Sequence, residues 1–300
     1  MRATPLLLYF EDETEAALRL ARAAGLTPAA IERHRFPDGE LKLRLPPALP
    51  ARGVLWRSLD QPNEKLIELL LAARTARELG VQHLTLVAPY LAYMRQDMAF
   101  RAGEAVSQRI VGPFLASLFD AIVTVDPHLH RTATLAEAVP VRQAVVLSGA
   151  PLLGDWVVQH RDRPLLMGPD GESAQWVAQA AARHGLDHAV CQKVRHGDRA
   201  VDIVLPAVNV RGRAVVLLDD VASSGRTVAR AAQLLCEAGA ASVDVAVTHA
   251  LFAGDALQVI RDAGVAHVWS TDCIAHPSNV VSVAPLVAMA LQSILEGGAA

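Results

Sequence analysis

The chain has 300 residues, 52% of them hydrophobic and 20% charged, with a formal net charge of −3. This suits two domains with ample core, excludes disorder as the dominant state, and leaves no global cationic field to hold a nucleic acid. Three cysteines, Cys191, Cys236 and Cys273, none in a C-x-x-C pair, argue for a reduced compartment and against a disulfide framework or structural zinc.

In chain order, the apolar run 6–10 reads as a strand. Glu11, Asp12 and Glu13 follow it directly, which is unlike a secretory signal, and no apolar run approaches the ~18 residues of a membrane span. A soluble cytoplasmic protein without a membrane partner is therefore expected. Residues 13–24 read as a helix stopped by Gly25. Residues 31–36 and 40–45, separated only by Pro37-Asp38-Gly39, should pair as a protruding antiparallel hairpin. A Pro-rich connection at 45–50 follows, then an amphipathic helix at 63–79 with Leu66, Leu69, Leu70 and Ala73 on one face.

Residues 83–88 form the next expected strand, followed by a long polar loop, a helix at about 105–118 and a strand at 121–125. A second series of β-type runs covers 144–147, 164–167, 188–191, 214–218, 242–248 and 267–270, alternating with helical segments such as 226–238. This is the pattern of parallel sheets with crossover helices, in two halves meeting near residues 140–150.

The most informative segment is 215–227, Val-Val-Leu-Leu-Asp-Asp-Val-Ala-Ser-Ser-Gly-Arg-Thr. An apolar strand delivers Asp219 and Asp220 at its C-terminal end, where open α/β sheets bind ligands. The turn Ser223-Ser224-Gly225-Arg226-Thr227 then opens a helix, combining backbone N–H groups, the helix dipole and three hydroxyls suited to a phosphate. A capped helix start with solvated acids is the plainer alternative. A Walker A loop is excluded, since no Gly-Lys-Ser/Thr is present.

Other segments offer matching chemistry. Phe36 presents a ring face, and Asp38 and Glu40 present acceptors, at the hairpin tip. Arg95, Gln96 and Asp97 follow a strand and a Pro-Tyr turn, where Arg95 suits a bidentate phosphate contact. His128 and His130 lie on one side of an extended chain, as a metal pair or as structural histidines. Asp170 either caps the following helix or coordinates Mg²⁺. Lys193 and Arg195 alternate onto one face as a two-cation clamp, and only three of the 28 cations are lysines.

The 215–227 segment resembles the phosphoribosyl loop shared by type I phosphoribosyltransferases and ribose-phosphate pyrophosphokinases. The ordered set Phe36-Pro37-Asp38-Gly39-Glu40, residues 89–97, Asp126-Pro127-His128, Gly168-Pro169-Asp170-Gly171, Lys193-Val194-Arg195 and Thr248-His249-Ala250-Leu251-Phe252 is similar to the second family across nearly the whole chain. The resemblance implies an α/β fold of two phosphoribosyltransferase-like domains, each a mainly parallel sheet flanked by helices. They would span 1–145, facing ATP, and 146–300, carrying the ribose 5-phosphate loop, with the option of the last helix packing back on the first. It implies ATP binding by Phe36, Asp38, Glu40, Arg95, Gln96, Asp97 and His128, with the adenine site completed by a neighbouring subunit in a homodimer or larger assembly. It further implies Mg²⁺ at His128 and Asp170, ribose 5-phosphate at Asp219, Asp220 and residues 223–227, and catalysis by Lys193 and Arg195, with Asp220 as proton acceptor.

The implied reaction transfers the β,γ-diphosphoryl group of ATP to the 1-hydroxyl of ribose 5-phosphate. Two departures stand out: Glu172 and Ser173 where the family has small residues, and Ser223-Ser224 where its commonest members have Asp-Thr. The second resembles the shorter archaeal-type enzymes. A type I phosphoribosyltransferase, a catalytically silent regulatory homologue and a kinase acting on ribose 1,5-bisphosphate remain as alternatives.

Overall fold

The computed structural model describes residues 5–196 and 200–296, with the side chains of 194–202 outside that description. The chain divides into two compact units, Met1–Leu147 with Ala284–Ala300, and Ser148–Val283.

The first unit runs β1 (Leu6–Phe10), α1 (Thr14–Ala24), β2 (Thr27–Arg35), β3 (Leu41–Arg44), β4 (Arg52–Trp56), α2 (Pro62–Glu78), β5 (His83–Val87), α3 (Ser107–Ala116), β6 (Ala121–Val125), α4 (Leu135–Ala138) and β7 (Gln143–Leu147). Its seven strands lie in the order β3-β2-β1-β4-β5-β6-β7, parallel throughout except for the β2–β3 pair. Strand alternation sends Leu8 and Phe10, Leu84 and Leu86, and Leu55 into one core with Leu69 and Ala73 of α2 and Leu115 of α3. Each of the leucines and Phe10 contributes about 1.5–3 kcal/mol on burial.

Two expectations are corrected here. The hairpin strand starts at Thr27, four residues before the expected 31. Its first part, Thr27 to Ile31, pairs parallel to β1, and only Glu32 to Arg35 pair with β3. The central strand β4 has no counterpart among the expected strands, because Arg52 and Gly53 after a Pro-rich run mask it; burial between β1 and β5 makes it a strand.

The second unit runs α5 (Ala150–His160), β8 (Leu165–Gly168), α6 (Ala174–Ala182), β9 (His188–Val190), β10 (Gln192–His196), β11 (Ala200–Val204), β12 (Ala214–Ala222), α7 (Arg226–Glu237), β13 (Ser242–Ala250), α8 (Ala256–Asp262), β14 (Val268–Thr271) and β15 (Asn279–Val281). Six strands form a parallel sheet, β15-β14-β13-β12-β8-β9. Val215 and Leu217 of β12 pack toward α7, while Val216 and Leu218 pack toward α5 and α6, so both faces of the sheet are covered. β10 and β11 form a separate antiparallel hairpin.

The last helix, α9 (Ala284–Glu296), belongs to the first unit, where it packs on α1 and reaches β6 and β7. Arg52 donates to its terminal carbonyls at Ile294 and Leu295, at 3.3 and 3.1 Å. Among the described residues no helix is long and apolar enough to cross a membrane.

Candidate active site

In the second unit β8 feeds β9 on one side while β12 feeds β13 on the other, so the C-terminal ends of β8 and β12 flank a topological switch point. Asp170 follows β8, and Asp219 and Asp220 lie near the end of β12. The Asp220 N–H donates to Asp219 Oδ1 at 2.9 Å, and Asp220 is buried. Burial, then the neighbouring charges of Asp220 and Asp170, push the Asp219 carboxyl well above the usual carboxylate range. Three carboxylates thus gather where the cation described against them is Lys193, with Nζ 3.5 Å from Asp170 Oδ2. An all-oxygen set with unbalanced negative charge fits Mg²⁺ or the hydroxyls of a sugar.

Of the two roles left open for Asp170, the structure describes the cap. Its Oδ1 accepts from the Glu172 N–H at 3.0 Å, capping the turn into α6, while Oδ2 faces Lys193. The two departures at this turn point opposite ways. Ser173 is buried and its hydroxyl donates back to the Asp170 carbonyl at 2.6 Å, whereas Glu172 is exposed.

The loop 223–225 between β12 and α7 is held from behind. Phe252 N–H donates to the Ala222 carbonyl and Ala253 N–H to the Ser223 carbonyl, both at 2.9 Å. Phe252 adopts φ 33°, a strained value for a bulky residue, and its ring lies 5.0 Å from that of His276. Gly225 adopts φ +70°, with space for a Cβ limited by Ile260 and by the Ala256 carbonyl. Among the described residues no side chain caps α7, whose first N–H groups thus lack an intrahelical or capping partner. Ser224 and Arg226 are exposed, and Ser223 and Thr227 are half-buried.

Lys193 stands on β10 opposite Ile203 of β11; sequence reasoning yields an extended two-cation segment here but not the hairpin that holds it. The Arg195 side chain lies outside the described residues.

In the first unit, Arg95, Gln96 and His128 line one cavity of about 450 Å³ with Tyr90, Tyr93 and Met94. Arg95 is exposed and has no ion-pair partner among the described residues. Gln96 donates to the Met98 carbonyl at 3.0 Å. The rings of His128 and His130 meet edge to face at 4.1 Å.

Asp97 does not line that cavity. It is buried and accepts from the Arg131 N–H at 3.1 Å and guanidinium at 2.8 Å. Burial alone would raise its carboxyl, but these bonds hold it below the usual range. Nothing near Arg131 in the sequence signals this pairing.

The flap tip stands apart, with Phe36, Asp38 and Glu40 exposed. Phe36 N–H donates to the Glu40 carbonyl at 2.8 Å, and Asp38 Oδ1 accepts from the Glu40 N–H at 3.2 Å, fixing the turn. The Phe36 ring carries His34 edge-on at 4.9 Å and Lys42 Nζ at 5.9 Å.

The chain matches the family model described as the N-terminal domain of ribose phosphate pyrophosphokinase over residues 6–118, and the phosphoribosyl transferase domain over 152–284. It is 33% identical to a ribose-phosphate pyrophosphokinase of Methanopyrus kandleri over 293 residues, covering 96% of this chain and 99% of the relative. It is 35% identical to ribose-phosphate pyrophosphokinase 2 of Archaeoglobus fulgidus over 272 residues, covering 91% and 94%. Its fold matches the phosphoribosylpyrophosphate synthetase of Mycobacterium smegmatis with a TM-score of 0.83 and 25% identity, covering 99% and 100%. The expected fold class, two phosphoribosyltransferase-type α/β domains with a hairpin flap on the first, is borne out. The chain belongs to the ribose-phosphate pyrophosphokinase family.

Proposed function

We propose that the protein transfers the β,γ-diphosphoryl group of ATP to the 1-hydroxyl of ribose 5-phosphate, giving AMP and 5-phosphoribosyl 1-diphosphate. The observation that carries this reading is the second unit's switch point. There, an uncapped helix start and the paired Asp219 and Asp220 face the same strand end as Asp170 and its cation, Lys193.

In this reading the loop 223–227 binds the 5-phosphate through its N–H groups and hydroxyls. Asp219 and Asp220 receive the ribose 2- and 3-hydroxyls. Burial and the charges of Asp220 and Asp170 raise the Asp219 carboxyl, which favours its neutral form as a donor to a sugar oxygen. The 1-hydroxyl attacks the β-phosphorus, its proton passes to Asp220, and AMP leaves. Such transition states are loose and highly anionic, so the protein acts mainly by alignment and charge neutralisation, here by Lys193, Arg195 and Arg95.

On the nucleotide side, Arg95, Gln96 and His128 contact ATP, and Asp97 acts by holding Arg131. Phe36, Asp38 and Glu40 take the adenine, in a site completed by a second copy of the chain. Asp170 in the second unit and His128 in the first are each offered as an Mg²⁺ ligand, and bound Mg²⁺ would supply neutralisation of the ATP phosphates. The cytoplasm fits this chemistry.

The test is purified protein with ATP, Mg²⁺ and ribose 5-phosphate, with nucleotide products resolved. AMP formed in step with 5-phosphoribosyl diphosphate is the expected result. ADP formed together with 5-phosphoribosyl diphosphate only when ribose 1,5-bisphosphate replaces ribose 5-phosphate would identify a monophosphoryl kinase acting on that bisphosphate. No turnover would identify a silent regulatory homologue, and turnover only with 5-phosphoribosyl diphosphate and a nucleobase would identify a phosphoribosyltransferase.

A further inference from the structure

The flap has little to hold it. From Glu32 to Arg44 no side chain is fully buried, and only Leu41 and Leu43 are half-buried. A two-stranded ribbon is at best marginally stable in water, and its own hydrogen bonds do not set its angle to the body. Yet a tip that presents a ring to a base must be aimed.

Two ion pairs join the flap to α2: Arg33 to Glu68 and Arg35 to Glu64. Their spacing is matched. Arg33 and Arg35 are i, i+2 on β2, on one face and about 6.7 Å apart. Glu64 and Glu68 are i, i+4 on α2, about one helical turn or 6 Å apart. The two arginines therefore reach the helix as a two-rung ladder ending one residue before Phe36, while β3 is the flap strand that packs on α2.

The inner rung rests on a fixed base. Glu68 is fully buried and also accepts from Arg57, itself 1% exposed. Arg57 reaches Asp12 at 2.8 Å and Glu13 at 3.1 Å, and Arg33 reaches Asp12 at 3.5 Å. The guanidinium carbons of Arg57 and Arg33 lie 4.6 and 5.8 Å from the Phe10 ring centroid. The outer rung is different: the side chains of Arg35 and Glu64 remain 54% and 39% exposed. It adds little to global stability, so what it constrains is the direction of the flap.

We propose that this ladder orients the flap tip, and that Arg35 and Glu64 are positioning residues for nucleotide binding. The proposal rests on the reading of the tip as an adenine site. Glu68 is a poor first target, because its loss strands the buried Arg57 charge and threatens folding. The outer rung can be removed cleanly.

The experiment compares Arg35→Gln, Glu64→Gln and the double variant in the full chain. Four quantities are measured: KM for ATP, KM for ribose 5-phosphate, Tm, and amide exchange over residues 32–44. Each single variant is expected to raise the KM for ATP about two- to fivefold and to speed exchange in the flap, leaving Tm and the KM for ribose 5-phosphate unchanged. The double variant should match the singles, since the two side chains act only through each other. Arg35→Lys, which keeps a cation for Glu64, should stay close to the parent in the KM for ATP and in flap exchange. Unchanged flap exchange in the singles, or single effects that multiply in the double, overturns the ladder. Phe36→Ala separates the two readings. If that variant leaves the KM for ATP unchanged, the adenine assignment fails, while the exchange data still decide whether the ladder orients the flap.

Discussion

Gly225 tests the phosphate loop most sharply, because backbone conformation and packing both oppose a side chain there. Gly225→Ala places a Cβ in the left-handed region at φ +70°, which costs an L-residue about 1–2 kcal/mol. The same Cβ would lie 3.0 Å from Ile260 Cδ1 and 3.1 Å from the Ala256 carbonyl oxygen, inside the 3.5–4.0 Å of a favourable contact. Ile260 can turn its terminal methyl, but Ala256 is backbone in the first turn of α8, so relief means moving the loop, at about 1–2 kcal/mol. Alanine recovers about 0.4–1 kcal/mol by restricting the unfolded chain, leaving a net loss of about 2 kcal/mol.

Gly171 provides the internal control. It stands in the turn after Asp170, lacks a positive φ, and a Cβ added there would meet nothing within 4 Å. Gly171→Ala should fall within about 0.5 kcal/mol of the parent. Urea denaturation of the second unit's transition supplies the stabilities, and initial rates supply the KM for ribose 5-phosphate. The expected result is a destabilised Gly225→Ala whose KM for ribose 5-phosphate rises, while its KM for ATP does not. A Gly225→Ala variant as stable as Gly171→Ala, with unchanged kinetics, would refute the account of how α8 and the Phe252 turn hold the loop.

Two further outcomes are expected. Lys193→Ala should lower kcat by on the order of 10²–10³ while leaving Tm nearly unchanged, since the pair with Asp170 is partly exposed; near-full rate would remove Lys193 from the catalytic set. Burial pushes the Glu13 carboxyl up to about 7, against the pull of Arg57 and Lys65. The folded state then binds more protons than the unfolded one between about pH 4.5 and pH 7, so this residue's stability contribution is present at low pH and is lost as pH rises through 7. Glu13→Gln should flatten the fall in Tm between pH 5 and pH 8, and an unaltered pH profile would show that Glu13 does not carry it.

Sequence and tertiary structure divided the information along a physical line. The phosphate loop was legible because all of its parts are local: an apolar strand, two adjacent acids, a small-residue turn and a helix start within 13 residues. The flap tip was legible for the same reason, Pro-Asp-Gly being a turn in almost any context. β4 was not, because its strand character comes from burial between β1 and β5 rather than from its own residues. Nor was the Asp97–Arg131 pair, which joins side chains 34 residues apart, or the Arg57 network that gathers Asp12, Glu13, Arg33 and Glu68.

Charge in the sequence showed only a near-neutral total. The fold decided which of those charges are buried, which are paired and which face a ligand, as at Asp219, where burial and two neighbouring carboxylates set its protonation. Local backbone preference travels with the residue, but desolvation and Coulomb interaction depend on what the chain brings beside it, and so they exist only in the folded protein.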